Sequence, residues 1–248
     1  MPFEESQRGV YLSLIIPAFN EASRIVKTLD HIVSFLQSQS YPSEIIIVDD
    51  GSQDRTRDMV WERYGNHHGV RIFQQSRNLG KGEAVKQGML LGKGEYLFFS
   101  DADLSVPIET LSLLLPKLEE DFDVTIGTRR KAGAVIEVHQ PFHREFMGGI
   151  FTRLSNWILD LRVSDFTCGF KGFRRKAARE LFARQRLKNW SFDAEILYLA
   201  RLKGYQVLEI PVRWRNDERT KVRLWRDIVS SFLGLIQIRL NDLLGRYR

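Results

Sequence analysis

Two aspartates separated by a single residue, Asp101 and Asp103, offer the clearest chemistry in this chain. They follow residues 96–99, an aromatic and aliphatic run that predicts a buried strand, and they precede Pro107, which can open a helix at its first position. In open α/β sheets, ligands bind outside the carboxyl ends of the strands. A turn at that place lets both carboxylates face one hard cation, and Mg²⁺ commonly combines one or two protein carboxylates with substrate phosphates. The pair therefore predicts a site for a cation and a phosphorylated ligand.

A second acidic pair strengthens this prediction because it also follows a strand. Asp49 and Asp50 come directly after residues 44–48, a continuous β-branched run of the kind that is buried on both faces of a parallel sheet. After a short third strand at residues 71–74, the tripeptide Gly-Lys-Gly at 80–82 stands at a helix start, where backbone N–H groups can bind phosphate. It lacks the spacing of a P-loop, and a flexible loop with one solvated lysine is an equal alternative.

The first strand, residues 11–16, ends at Pro17, and we expect Asn20 to cap a helix over residues 21–37. The turn between this strand and this helix contains no glycine. A dinucleotide-binding Gly-x-Gly-x-x-Gly would have to lie there, so the sequence argues against an NAD site.

Strands and helices alternate four times within the first 120 residues. This order predicts right-handed βαβ crossovers and a parallel, doubly wound sheet. The pattern dissolves at residues 131–143, a loop long enough to act as a lid. Pro211 places the strand predicted at residues 206–212 at a sheet edge. The other predicted elements are helices over residues 107–118, 145–161 and 176–182 and from Phe192 onward, and a strand over residues 124–127.

Composition limits the classes of partner. The 248 residues are 43% hydrophobic, enough for a full core, and their formal net charge of +6 favours nucleotide phosphates, nucleic acid or an acidic membrane face. No aromatic platform interleaved with Lys and Arg supports nucleic-acid binding. The lone Cys168 excludes an internal disulfide and fits a reducing cytosol. No uncharged apolar stretch approaches about 18 residues, so we expect neither a signal peptide nor a membrane span.

The C-terminal segment, residues 224–244, predicts an amphipathic helix with arginines at its edges. Two interpretations fit it equally: a helix docked on the domain or on a partner, and a helix lying in the plane of a membrane surface. Its apolar stripe consists of Trp225, Ile228, Val229, Phe232, Ile236, Leu240, Leu243 and Leu244.

Six motifs, in order along the chain, carry a resemblance to a known family. They are Ile-Pro-Ala-Phe-Asn-Glu at 16–21, Val-Asp-Asp-Gly-Ser at 48–52, Asn-Leu-Gly-Lys-Gly at 78–82, Asp-Ala-Asp at 101–103, Ile-Gly-Thr-Arg at 126–129 and Cys-Gly-Phe-Lys at 168–171. Together they resemble the signature of family 2 glycosyltransferases with the GT-A fold. The stretch 189–195, Asn-Trp-Ser-Phe-Asp-Ala-Glu, is most similar to the dolichyl-phosphate β-glucosyltransferases among the polyprenyl-phosphate enzymes. We therefore expect an α/β GT-A domain over residues 1–221 and a helical tail over residues 222–248.

The resemblance implies a role for each matching position on the donor side. Asp101 and Ala102 contact the ribose and phosphate of a nucleotide-sugar donor, and Asp50 accepts a hydrogen bond from its base. Asp101, Asp103 and the position of Ser105 approach a divalent ion, Mg²⁺ or Mn²⁺. The residues that line the nucleotide are Pro17, Phe19, Glu21, Val48 and Asp50.

The resemblance also implies which residues bind the acceptor. Arg129 and Arg144 match arginines that bind a lipid phosphate, and a guanidinium suits this task because it meets phosphate oxygens with bidentate geometry. Lys221 matches a basic residue that closes over the donor, a role that Arg215 or Arg219 can share.

The kind of acceptor decides whether the site needs a base. A cation held by Asp101 and Asp103 would neutralise charge on the departing nucleoside diphosphate. A sugar hydroxyl acceptor must lose a proton, whereas a phosphate monoester, with a second pKa of about 6, is already largely dianionic. We expect Asp165 to serve as a base or to orient its neighbours. His139 and His143, in the predicted lid, are weaker candidates for proton transfer.

The sequence thus predicts an inverting, metal-dependent transfer of glucose from UDP-glucose to a polyprenyl phosphate. We expect the enzyme to be peripheral at the cytoplasmic face of a membrane, where a membrane partner protein is compatible with the sequence. Inversion and the β linkage follow from the resemblance. The alternatives are a GDP-mannose donor, a soluble or glycan acceptor and, from another class, a nucleotide-sugar-binding protein without catalysis.

Overall fold

The computed structural model describes residues 9–217 and 224–248. Its strands are β1 (Leu12–Ala18), β2 (Ser43–Asp49), β3 (Val70–Gln74), β4 (Tyr96–Ser100), β5 (Val124–Thr128), β6 (Val135–Val138), β7 (Phe170–Arg174), β8 (Val207–Pro211) and β9 (Arg213–Arg215). Seven strands form one sheet in the order β3-β2-β1-β4-β7-β5-β8, and β6 pairs with β9 separately. Within the large sheet, β7 runs antiparallel to both of its neighbours, and all other pairings are parallel.

Helices cover both faces of the sheet. In the described part of the chain they are α1 (Ile25–Gln37), α2 (Thr56–Tyr64), α3 (Lys81–Leu91), α4 (Leu111–Glu119), α5 (Phe142–Leu159), α6 (Arg175–Arg184), α7 (Phe192–Leu202) and α8 (Leu224–Leu243). None of the helices that the structure describes combines the length and the apolar composition needed to cross a membrane.

Side chains of the central strands pack into two hydrophobic cores, one on each face of the sheet. Ile15 and Phe99 pack on one side, Leu14 and Phe98 pack on the other, and all four are fully buried. Successive residues of a strand point to opposite faces, so an unbroken apolar run is what burial on both faces requires. Full burial of such a side chain stabilises the fold by about 1.5–3 kcal/mol. The predicted mostly parallel sheet flanked by helices is confirmed.

The strand β7 was not expected, because the sequence favoured a turn followed directly by a helix in this region. Lys171 and Gly172 interrupt its apolar pattern. Lys171 is nevertheless fully buried, since its ammonium donates to the Asp193 carboxylate at 2.5 Å and to the Cys168 carbonyl at 2.6 Å. A buried lysine is tolerated only with such partners, and neither can be recognised from the local sequence.

The prediction that residues 131–143 form an irregular loop throughout is wrong. This segment contains β6, which pairs with β9 through Val135 and Arg213. The following helix, α5, begins at Phe142, three residues before the predicted start. The segment is therefore anchored at its middle by main-chain hydrogen bonds rather than tethered only at its ends.

The predicted capping role of Asn20 is also wrong. Helix α1 begins at Ile25 with Arg24 at the N-cap position, and Asn20 lies upstream in the left-handed region at φ 55°. The Asn20 side-chain oxygen accepts a hydrogen bond from the backbone N–H of Gln53 at 2.8 Å. It therefore fastens the turn after β1 to the loop after β2.

Two predictions that depend on proline differ in outcome. Pro107 does not open an α-helix directly, because a 3₁₀ turn, Ile108–Thr110, intervenes before α4. Pro211 ends β8, and β8 is an edge strand that pairs only with β5 in the described structure. The edge placement of Pro211 is confirmed.

Helix α8 packs against the domain. Leu235 and Ile238 are fully buried in the same core as Ile15, while Ile236 and Leu240 are exposed. Beyond the helix, the Tyr247 hydroxyl donates to the buried carboxylate of Glu195 at 2.5 Å. The C-terminal segment is thus docked on the domain along one face and presents apolar side chains on another.

Candidate active site

A cavity of about 570 Å³ opens where β4 and β5 end. The loops after these strands, α5, Trp190 and the middle of α8 form its walls. Five of the predicted site residues line it: Asp101, Asp103, Ser105, Arg129 and Arg144. Among the described residues, seven predicted ones lie outside its lining: Pro17, Phe19, Glu21, Val48, Asp50, Ala102 and Asp165. Lys221 and Arg219 lie outside the residues that the structure describes.

The loop after β4 holds its two carboxylates in a tight turn. The Asp101 N–H donates to the Gly169 carbonyl at 3.2 Å, and the Asp103 carboxylate accepts the Ser105 N–H at 2.9 Å. Leu104, between Asp103 and Ser105, has φ 49°, a left-handed conformation that is uncommon for a bulky residue and tends to mark functional turns. Burial and the neighbouring Asp101 charge raise the pKa of Asp103. The turn therefore concentrates negative charge in the cavity, as a cation site requires.

Gly169 allows this turn to form. A Cβ atom on Gly169 would lie 2.0 Å from Asp101 Oδ2, closer than any real contact. The segment before β7 therefore approaches the Asp101 carboxylate with a bare backbone, and a Cβ atom there would displace the carboxylate from its position.

Lys81, the first residue of α3, reaches the same carboxylate. Its ammonium lies 2.6 Å from Asp101 Oδ1 and 4.8 Å from the centre of the Trp190 indole ring. Burial lowers the pKa of Lys81, but the charges of Asp101 and Asp193 outweigh it, so the pKa is raised overall. The side chain is only 13% exposed, so the interpretation as a solvated loop lysine is wrong.

The loop before α3 is held by Asp50. The Asp50 carboxylate accepts the N–H groups of Leu79 at 2.7 Å and Gly80 at 2.9 Å. The Gly82 N–H donates to the Lys188 carbonyl at 2.8 Å. These three N–H groups are therefore used within the fold, which disfavours the predicted phosphate binding by this backbone.

Arg129 stands at the end of β5 in a bidentate ion pair with Asp165. Its Nε donates to Asp165 Oδ2 at 2.6 Å, its Nη2 donates to Oδ1 at 2.8 Å, and the Arg129 N–H adds a third bond at 3.1 Å. Nη2 also donates to Thr167, and the guanidinium lies over the Trp214 ring at 5.3 Å. Burial raises the pKa of Asp165, but the Arg129 charge outweighs it and holds the pKa well below its usual range. This geometry suits an orienting carboxylate better than a base.

Arg144 contributes a second cation from the first turn of α5. Its side chain lines the cavity, and its Nε is buried without a hydrogen-bond partner among the described residues. A buried N–H donor is costly unless it is paired, so a ligand oxygen at this place would satisfy it. Nearby, His139 pairs with Glu145 at 2.9 Å, and His143 is exposed.

The remaining donor-side residues surround the end of β1. Glu21 is buried and pairs with Arg24, whose guanidinium also lies 2.9 Å from the Asp217 carboxylate at the cavity wall. Val48 is fully buried in the core, and Pro17 is half-buried.

Comparison with known proteins identifies the family. Residues 13–182 match the family model described as glycosyl transferase family 2. The chain belongs to this family. A dolichyl-phosphate β-glucosyltransferase of Saccharomyces cerevisiae is 36% identical over 98% of this chain and 78% of the relative. One from Trichomonas vaginalis is 32% identical over 95% of this chain and 72% of the relative.

Solved structures bear out the GT-A fold of this family 2 glycosyltransferase. Glucosyl-3-phosphoglycerate synthase from Mycobacterium tuberculosis, crystallised with Mn²⁺, UDP and glucosyl-3-phosphoglycerate, aligns with a TM-score of 0.65 at 16% identity. The alignment covers 92% of this chain and 80% of that protein. Another structure of the same synthase contains Mg²⁺ and UDP. The predicted GT-A fold is therefore confirmed.

The donor set of the glycosyltransferase fits a divalent ion that is shared with a substrate. No group of three or more His, Cys, Asp or Glu side chains in residues 9–217 and 224–248 is placed to hold a metal ion by itself. Asp101 and Asp103 together supply the one or two carboxylates that Mg²⁺ usually takes when substrate phosphates complete its shell. The chemistry of these oxygen donors therefore fits Mg²⁺ or Mn²⁺ bound together with a diphosphate.

Sequence reasoning missed several cavity residues of the glycosyltransferase. The sequence patterns give no role to Trp190 or Trp214, and they contain Gly169 only as part of the motif at 168–171. Trp190 belongs to the stretch that most resembled the glucosyl branch, so its place in that motif was the available signal. The contact between Lys81 and Asp101 joins residues from different βα units, and no local pattern reports it.

Proposed function

We propose that this chain transfers glucose from UDP-glucose to a polyprenyl phosphate of the dolichyl type. The product would be a β-linked polyprenyl-phosphate glucose, formed with inversion at the anomeric carbon. The observation that carries the proposal is a single cavity with two carboxylates, Asp101 and Asp103, and an arginine, Arg129, fixed by Asp165. The names of the relatives support the glucosyl group and the lipid phosphate, and the UDP bound by the structural neighbour supports the donor.

The charged groups divide the work between the donor and the acceptor. Asp101 and Asp103 would hold Mg²⁺ or Mn²⁺, with Ser105 beside them at the predicted third position. When bound, the ion stabilises negative charge on the leaving diphosphate. Arg129 and Arg144 bind the acceptor phosphate and aim one of its oxygens at the anomeric carbon.

A base is not required for this acceptor, because a phosphate monoester is largely dianionic at neutral pH. Asp165 therefore acts on Arg129 rather than on the acceptor. Its bidentate hydrogen bonds fix the plane of the guanidinium, so the outward N–H groups point in a set direction. We assign Asp165 as a positioning residue.

The decisive assay offers radiolabelled UDP-glucose and GDP-mannose separately with a short polyprenyl phosphate and Mg²⁺. We expect label from UDP-glucose in the organic phase and its loss with EDTA or in Asp103→Asn. Arg144→Gln should lower the rate by about tenfold or more, because an ionic phosphate contact is worth about 1.5–3 kcal/mol. Arg153→Gln, an exposed arginine on the same helix, is the matched control. Label from GDP-mannose alone, or none in lipid while a glycan acceptor is labelled, would refute this function.

We further propose that the apolar faces of α5 and α8 rest on the membrane that holds the acceptor. The two helices pack against each other through Phe151 and Phe232. Phe142 and Trp157 of α5 are each 80% exposed, and Arg144 of the same helix lines the cavity. Several large apolar side chains that are exposed on helices beside the site are typical of a membrane contact. The exposed apolar residues are Phe142, Phe146, Trp157, Leu233, Ile236, Leu240, Leu243 and Leu244.

Liposome flotation tests this surface. We expect the full chain to float with vesicles of zwitterionic and anionic lipid and the double variant Ile236→Glu/Leu240→Glu to float much less. The matched control is Leu113→Glu, which changes an equally exposed leucine on α4. Equal flotation of the double variant and the control would contradict the proposed surface.

On this proposal the enzyme is peripheral at the cytoplasmic face of a membrane, where a membrane partner protein can join it. Residues 1–221 would form the catalytic domain and residues 222–248 the tail that meets the membrane. Lys221, in the chain just before that tail, would close over the donor as the resemblance implies.

A further inference from the structure

Lys81 is built into the fold at a fixed place. Gly80, directly before it, has φ 108°, and a Cβ atom there would lie 2.4 Å from the Lys188 carbonyl oxygen. The loop can therefore be formed only with glycine, and the Asp50 carboxylate holds its N–H groups. The start of α3 cannot shift without breaking these contacts, so the Lys81 side chain leaves the backbone from a defined point.

The far end of Lys81 is equally constrained. The Trp190 ring lies against the ammonium at 4.8 Å, an attractive cation–π geometry, and Asp101 Oδ1 accepts at 2.6 Å. With 13% of the side chain exposed, the ammonium is held between this ring and this carboxylate at the edge of the cavity. A divalent ion that binds Asp101 must share this oxygen with the ammonium or displace it.

We propose that Lys81 is an internal counter-ion of Asp101 that competes with the divalent ion and moves to the donor diphosphate when the donor binds. The inference rests only on the metal-binding part of the proposed function, and neither glucose nor lipid enters it. Like charges repel, so an ammonium on Asp101 weakens the binding of a divalent ion. A diphosphate offers anionic oxygens to both the ammonium and the divalent ion, so the two cations no longer compete for one carboxylate. Lys81 would thereby make metal binding depend on the nucleotide.

Removing the charge should tighten metal binding in the absence of nucleotide. We expect Lys81→Gln to raise the Mn²⁺ affinity by about tenfold or more, since a hydrogen bond between charged groups no longer has to be broken. Lys81→Arg keeps the charge and should remain near the original affinity. Lys93→Gln, which removes an exposed lysine before β4, controls for the change in net charge.

Mn²⁺ titrations followed by electron paramagnetic resonance of the free ion measure these affinities directly, without and with saturating UDP. UDP should increase the Mn²⁺ affinity of the original chain more than that of Lys81→Gln, because coupling between two ligands is reciprocal and Lys81 carries part of it. Melting temperatures check that each variant is folded. If Lys81→Gln does not fold, Trp190→Leu tests the same point, and we expect tighter Mn²⁺ binding from it without nucleotide.

Equal Mn²⁺ affinity in Lys81→Gln and the original chain, including no detectable binding by either, would overturn the proposal. Weaker binding in Lys81→Gln, or the same increase in Lys93→Gln, would do so too. These results do not depend on the assay of lipid glucosylation. A failure of the proposed function with tighter Mn²⁺ binding in Lys81→Gln would leave the role of Lys81 standing.

Discussion

Replacing Asp165 with asparagine distinguishes a positioning residue from a base. Asparagine keeps the shape of the side chain and one acceptor oxygen, but it loses the charge and one of the two hydrogen bonds from the Arg129 guanidinium. Breaking a buried ion pair outright costs about 3–5 kcal/mol, and one charged hydrogen bond is worth about 1.5–3 kcal/mol. Because one bond survives, we expect the free energy of unfolding to fall by about 2–3 kcal/mol.

The catalytic loss should be of similar size. If Asp165 only orients Arg129, kcat/KM for the polyprenyl phosphate should fall about 10- to 100-fold, mainly through a higher KM, and the pH–rate profile should keep its shape. Arg129→Gln should cause a comparable loss. The double variant should be little worse than Arg129→Gln alone, because both changes remove the same interaction.

A general base would behave differently. A loss of about 10²- to 10⁴-fold in kcat for Asp165→Asn, with an unchanged KM for the acceptor and a flattened pH profile, would refute the positioning role. Additive losses in the double variant would refute it as well.

The pH dependence of stability gives an independent check on the same pair. Arg129 holds the pKa of Asp165 below the unfolded value of about 3.9, so the pair stabilises the fold above that pH and loses its effect as pH falls toward the lower folded pKa. The difference in unfolding free energy between the original chain and Asp165→Asn should therefore be constant near neutral pH and shrink only below about pH 4. Urea denaturation at several pH values measures it.

Three further predictions concern groups around the site. Gly169→Ala should abolish glucosyl transfer while the chain stays folded, because the new Cβ would collide with the Asp101 carboxylate. Circular dichroism checks the folding, and Mn²⁺ titration checks the displaced carboxylate. Mn²⁺ binding close to that of the original chain would contradict this prediction. Lys171→Met should lower the free energy of unfolding by about 3–5 kcal/mol, because it leaves the Asp193 carboxylate buried without the Lys171 ammonium. Urea denaturation measures this loss, and a loss below about 1 kcal/mol would contradict the prediction. Burial raises the pKa of the Cys168 thiol to about 12. Iodoacetamide at pH 8 should therefore label this thiol only when urea unfolds the chain. Rapid labelling of the folded chain would contradict the burial of Cys168.

The sequence predicts the fold best where apolar runs are long. The first five strands were predicted because each is a short apolar or β-branched run that ends in turn-forming or charged residues, and Asp101 and Asp103 were placed at a strand end by the same pattern. The strand β7 was missed because Lys171 and Gly172 break that pattern. The burial of Lys171 depends on Asp193, which lies 22 residues further along the chain.

The site was predictable only where one segment contains the whole signal. Asp101 and Asp103 share a turn, so their spacing reveals them. The pairing of Arg129 with Asp165 and of Lys81 with Asp101 depends on how distant βα units meet at one edge of the sheet. The sequence therefore names the charged groups, and only the tertiary structure shows which of them neutralise one another.

The antiparallel strand β7 sets a length inside this catalytic cavity. Hydrogen-bonded strands lie about 4.8 Å apart, so the ends of β4 and β5, with β7 between them, stand about 10 Å apart. Asp101 follows β4 and Arg129 follows β5, so this span separates the backbone positions from which their side chains enter the cavity. One inserted strand therefore acts as a spacer between two loops of the cavity, and without it the loops that carry Asp101 and Arg129 would start only about 5 Å apart.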